Sequence, residues 1–149
     1  MGLVERTTLT PMIEDVDDYR PGSRWGFAVD PDRLVASGVI YELIGVGDAI
    51  PLHRHAVDEV VLVLEGTGEM TLGDSVRQVE GGATAFIASG TVHGIRNTGT
   101  AEIRYVAIFP STNVVDMEML ARIPAPGTED RPPRHTEWNM QTGEVRVLP

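Results

Sequence analysis

From Trp25 onward, apolar and polar positions alternate in short runs broken by turn residues. That period of two marks strands with one buried face. Residues 25–29 end at Asp30-Pro31-Asp32, and residues 37–44 form a β-branched and aromatic run. Gly45-Val46-Gly47-Asp48 turns the chain into 51–55. Runs 59–64 and 69–72 flank the bend Gly66-Thr67-Gly68, and Gly73-Asp74 predicts a hairpin into 76–79. Gly81-Gly82 and Ser89-Gly90 lead into 83–88 and 92–97, and 103–109 ends at Pro110. About eight or nine short strands at this spacing predict an antiparallel sandwich or barrel.

The flanks read differently. Residues 7–24 are polar and proline-punctuated, with the acidic runs Glu14-Asp15 and Asp17-Asp18, and predict a solvated arm in which 9–13 can add an edge strand. Residues 112–123 predict one short helix, capped by Thr112 or Asn113 and stopped by Pro124. Residues 124–136 are rich in proline and charge, and 144–148 alternate again as one more edge strand. The expected division is therefore an N-terminal arm (1–24), a barrel (25–111), and a short helix with an extended tail (112–149).

With 149 residues and 42% apolar content the chain makes one domain with a real core. A formal charge of −10 argues against nucleic acid and against an anionic membrane surface, since both need a basic face. There is no cysteine and no lysine. Thiolate sites, disulfides, cysteine nucleophiles and Schiff-base chemistry are thereby excluded. The first residues carry no apolar signal core and no run reaches membrane-spanning length, so a soluble cytoplasmic protein is expected.

The remaining candidates for chemistry are histidines and carboxylates. Residues two apart in a strand share a face, so His53 and His55 point together and Arg54 points away. Glu59 follows a gap, Ala56-Val57-Asp58, that lets the chain turn and bring the carboxylate back on the next strand. Neutral imidazoles with a carboxylate suit Fe, Mn, Co, Ni, Cu or Zn. His93 lies in a second glycine-punctuated stretch, 82–97, and one histidine there proves nothing by itself.

Taken together, the two stretches resemble the two motifs of the cupin superfamily. Gly47, His53-x-His55, Glu59 and Gly66 match the first motif in spacing; Gly82, Gly90, His93 and Asn97 match the second, with Ala88 where the family usually has proline. The resemblance spans roughly residues 35 to 110. It implies an all-β antiparallel jelly-roll barrel. It also implies a metal held by His53, His55, Glu59 and His93, glycine turns at 66, 82 and 90, and a structural Asn97.

One divalent transition metal with three neutral histidines and one carboxylate would polarise a chelating small molecule. Glu59 is a candidate proton shuttle. Strand parity places Val61, Val63, Met70, Phe86 and Ile95 in the pocket wall, an apolar wall with no arginine clamp. That wall favours dioxygenase-type oxidation of an enolisable, hydroxylated or aromatic compound. The alternatives are a redox-neutral isomerase, cyclase, lyase or decarboxylase, and a non-catalytic binding module. Asp58 is expected at a turn, His135 in a solvated tail, and Trp25 and Trp138 in packing roles. The run 60–64 is apolar on both faces, so its outer side (Val60, Leu62, Leu64) is expected to pack in a homodimer.

Overall fold

The computed structural model describes residues 2–32, 35–110 and 114–149. Among them the regular structure is entirely β. The strands are β1 (Thr10–Met12), β2 (Arg20–Ala28), β3 (Gly38–Ile44), β4 (Ala49–His55), β5 (Glu59–Glu65), β6 (Thr67–Leu72) and β7 (Ser75–Glu80). They continue with β8 (Thr84–Ile87), β9 (His93–Asn97), β10 (Ile103–Phe109), β11 (Val114–Met119), β12 (His135–Asn139) and β13 (Val145–Val147). One sheet runs β1-β2-β3-β10-β5-β8 and the other β13-β12-β11-β4-β9-β6-β7, each with antiparallel neighbours. Sequential strands such as β4 and β5 thus lie in different sheets, the pattern of a jelly roll.

Alternation explains why the two sheets face each other. In β5, Val61 and Val63 are buried at 0% and 2% exposure, while Val60 and Leu62 point outward. Ile44, Ile103, Phe109, Val115 and Met117 complete the layer between the sheets. Each such side chain contributes about 1.5–3 kcal/mol by leaving water. Gly66 sits where the backbone of a neighbouring strand leaves no room for a side chain. Its φ is +89°, and a Cβ there would sit 2.6 Å from the Glu102 carbonyl oxygen. Asn97 ties the second motif to the core by donating to the Ile44 and Ala101 carbonyls, at 2.9 and 2.8 Å.

Both flanks depart from expectation. The predicted helix over 112–123 is not formed: residues 114–119 are strand β11, and the expected caps Thr112 and Asn113 lie outside the described residues. Val115 and Met117 face the core while Val114 and Asp116 face out, so the pattern has period two. The stretch 7–24 is more than a solvated arm, and the edge strand expected within 9–13 forms as β1. The stretch also supplies the start of β2, and it buries Met12, Asp18, Arg20 and Ser23. It is clasped by the C-terminal segment. Arg122 donates to Asp17 at 2.8 Å, Arg134 to Asp15 at 2.7 Å, and the Tyr19 amide to the Ile123 carbonyl at 2.7 Å. The tail thus closes over its own barrel, and the expected edge strand near 144–148 is β13.

Candidate metal centre

Three strands bring the four expected ligands together. His53 and His55 face inward from β4, with Arg54 outside in an ion pair with Glu118. His93 opens β9 and is the direct cross-strand partner of His53. Glu59 opens β5 in the facing sheet. The turn between β4 and β5 is fixed by Asp58, which accepts from the Ser89 amide at 2.9 Å, and by the Gly90 amide donating to the His55 carbonyl at 2.8 Å. One ligand atom from each of His53, His55, Glu59 and His93 lies within 4.8 Å of the others, and all four residues are buried.

Each imidazole is oriented by a backbone carbonyl. His53 Nδ1 lies 2.8 Å from the Pro51 oxygen, His55 Nδ1 2.7 Å from that of Val57, and His93 Nδ1 2.8 Å from that of Thr91. A carbonyl only accepts, so each Nδ1 carries the proton and each Nε2 of a neutral ring presents a lone pair. His55 Nε2 and His93 Nε2 sit 3.0 and 2.9 Å from the same oxygen, Glu59 Oε2. That oxygen is also an acceptor. His93 Nε2 is buried with no hydrogen-bond partner despite the short approach, because its geometry is not that of a hydrogen bond. Buried lone pairs facing one another need a cation between them. Metal bonds of about 2.1 Å at right angles separate neighbouring donors by about 3.0 Å, so the donor set fits a divalent ion.

The electrostatics agree. Burial, reinforced by the neighbouring His93, lowers His53 to about 3, so it stays neutral and ready to ligate. Tyr105 on β10, itself buried, donates to Glu59 Oε1 at 3.2 Å and leaves Oε2 to the histidines. Phe109 packs edge-on against the His55 ring at 5.2 Å. One face of 103–109 was expected in the pocket wall, and both residues lie on the inward face of that strand, but the sequence assigned neither a role in supporting the ligands.

A cavity of about 70 Å³ opens beside His53. Its apolar wall includes Met12, Trp25, Ile50, Met117, Met119 and Trp138. Its polar wall includes Asp15, Asp18, Arg20, Glu42 and Arg134. None of the residues expected in the pocket wall is among those lining this cavity. Val61, Val63, Met70 and Ile95 are buried in the core and do not line this cavity. Phe86 points outward at 79% exposure, because in β8 it is Ala85 and Ile87 that face in. The expected absence of arginine is also wrong. Arg20 and Arg134 both reach the cavity, each already held by carboxylates. Trp25 and Trp138 pack with Phe27 at ring separations of 5.1–5.6 Å and also face the cavity. His135 lies in β12, half-exposed, and pairs with Asp116 on the outer face of the sheet.

Comparison with known proteins places this geometry. Residues 40–109 match the family model described as "Cupin domain". A curated relative, the uncharacterized protein MJ1618 of Methanocaldococcus jannaschii, is 32% identical over 80 residues, which cover 52% of this chain and 64% of that protein. The chain therefore spans less than two thirds of that relative. Among solved structures, a sugar phosphate isomerase from Silicibacter pomeroyi aligns with a TM-score of 0.64 at 16% identity, over 99% of this chain and 85% of the other. The polyketide cyclase RemF from Streptomyces resistomycificus aligns with a TM-score of 0.61 at 22% identity, over 87% and 89%.

Proposed function

With residues 40–109 forming a cupin domain, we propose that this protein is a metal-dependent enzyme acting on a small chelating compound, enolisable, hydroxylated or aromatic. The observation that carries the reading is the buried group of acceptors at His55, His93 and Glu59, with His93 Nε2 unpartnered. His53, His55, Glu59 and His93 would hold one divalent ion, among Fe, Mn, Ni, Co, Cu and Zn. When bound, the ion supplies Lewis acidity toward a chelating substrate. The Nδ1–carbonyl bonds orient each imidazole with Nε2 toward the site, burial keeps His53 neutral, and Met117, Met119 and the two tryptophans pack beside the open side of His53.

Two reaction classes share this site. Dioxygenase-type oxidation was favoured by an uncharged wall. The charged cluster Asp18–Arg20–Glu42 in the same cavity favours the redox-neutral class instead, in which a proton is moved on an isomerising, cyclising or decarboxylating substrate. Elemental analysis of the wild type and of His53→Ala and His93→Ala tests the ligand set. We expect one metal per chain in the wild type and a loss of most of it in each variant. Metal content unchanged in both would remove the assignment. Oxygen uptake by the loaded protein with a catechol or hydroxyketone would restore the dioxygenase reading.

The outer face of the first sheet supports a homodimer. Tyr41, Leu64 and Phe86 are exposed there at 40%, 50% and 79%, beside half-buried Val60 and Leu62. An apolar sheet face of this kind is better covered by a second copy than left in water. Sedimentation of a stable 16.2 kDa species would exclude the dimer.

A further inference from the structure

We propose that Glu42 is the proton-exchanging carboxyl of this cavity, held in place by Arg20 and facing the substrate across from His53. The proposal rests on the metal-dependent, redox-neutral reading above.

The geometry is specific. Glu42 sits in the middle of β3, at 7% exposure, where the next inward-facing positions are Ile40 and Ile44. A carboxyl in that row needs a reason, since an apolar residue would pack there without desolvation cost. Arg20 comes in from β2. Its Nε and one terminal nitrogen donate to Asp18 at 2.8 and 2.9 Å, and its other terminal nitrogen donates to Glu42 Oε1. Asp18 by itself already makes a bidentate, charge-neutral pair with Arg20. Glu42 is thus a second carboxylate on one guanidinium, surplus to what neutrality requires. Glu42 and His53 border the same cavity.

Among the described residues, the charged and titratable groups around Glu42 are Arg20 and Asp18 on the β2 side, Tyr105 directly across on β10 and Glu59 beyond it, with Asp15, Arg134 and His53 on the same cavity. Burial raises Glu42, Arg20 opposes this, and Asp18 and Glu59 reinforce it. Glu59 is the poorer proton carrier, because one oxygen accepts from Tyr105 and the carboxylate belongs to the ligand group.

The step balances without a co-reactant. The Glu42 carboxylate takes a proton from a carbon next to a carbonyl, and the C–H electron pair stays on the substrate as an enolate. The same carboxyl then returns the proton to another carbon or oxygen of that molecule.

The test uses the metal-loaded full chain, Glu42→Gln and Glu42→Asp, with hydroxyacetone as probe. Glutamine keeps an acceptor for Arg20 and leaves Arg20–Asp18 neutral, so the variant should fold. We expect wild-type hydrogen–deuterium exchange at the probe's carbons in D2O to fall at least ~100-fold in Glu42→Gln, as for loss of a general base. Glu42→Asp should partly restore it, and metal content should stay unchanged in both. Infrared spectra of the metal-free protein give a readout independent of turnover. A carboxyl band that titrates above the ordinary glutamate range should vanish in Glu42→Gln. Exchange within twofold of wild type in Glu42→Gln, an unchanged infrared titration, or no exchange by a metal-replete wild type would each overturn the role of Glu42 and leave the metal site standing. A wild type that binds no metal would overturn the underlying reading instead.

Discussion

Arg20 is the residue whose removal should do the most damage outside the metal centre. It is 3% exposed, and it makes two bonds to Asp18 and one to Glu42. Replacing it with methionine keeps most of the volume and removes the guanidinium that both carboxylates share. Two buried acids, Asp18 at 8% and Glu42 at 7% exposure, would then face each other's charge. Breaking a buried ion pair from one side costs about 3–5 kcal/mol. Against a typical total of roughly 5–15 kcal/mol, that is about a fifth of the stability or more. Urea denaturation at pH 7, followed by the fluorescence of Trp25 and Trp138, measures the loss directly, since both rings line the same cavity. The sign of the pH dependence follows from the two acids. Burial, opposed by Arg20, raises both Asp18 and Glu42 above their ordinary values. A raised acid contributes stability below its unfolded value, and that stability is lost as pH rises through the folded value. Without Arg20 both rise further, so the cost of Arg20→Met should be largest at neutral pH and shrink on acidification. Combining Arg20→Met with Asp18→Asn and Glu42→Gln should recover most of the loss. A cost below about 1 kcal/mol at pH 7, the range of an exposed pair, or a cost that grows in acid, would refute the reasoning.

Two further outcomes follow from the site itself. Tyr105→Phe removes the donor to Glu59 Oε1 while keeping the ring, so metal affinity should fall about 10–100-fold with little change in fold; competition with a coloured chelator measures it, and an unchanged affinity would show that Tyr105 does not position the ligand. The metal-free protein should lose stability as pH falls from about 6.5 to 3, because burial keeps His53 neutral in the folded state while the unfolded chain takes up the proton. The limiting slope from one such group is about 1.4 kcal/mol per pH unit. His53→Gln should flatten that part of the profile in urea titrations at successive pH values, and an identical slope in both proteins would assign the acid sensitivity elsewhere.

How much of this the sequence discloses depends on whether the determining contact is local. His53, His55 and Glu59 are legible because the strand period and a three-residue turn fix where they point, and the spacing of His93 from Gly82 and Gly90 sets the second half. The β11 segment was harder. Met117, Glu118, Met119 and Leu120 favour a helix by propensity, yet Val115, Met117 and Met119 also satisfy period two, and pairing with β4 beside His53 and His55 decides it. Phe86 was misplaced for a related reason. The parity of β8 is set by its register on β5, with Ile87 opposite Glu59 and Ala85 opposite Val61, and no turn signal encodes that register. The cavity is the extreme case. Met12, Arg20, Glu42, Met117 and Trp138 meet there from five strands spread over most of the chain. The acidic run from Glu14 to Asp18 looked solvated because a charge run is solvated by default. What ties Asp15 and Asp17 down are Arg134 and Arg122, about a hundred residues away, whose ion pairs exist only once the barrel has closed. A metal ligand must satisfy a spacing, and spacing is written along the chain. A proton-exchanging acid such as Glu42 needs only burial and a counter-charge, and both are supplied by the fold.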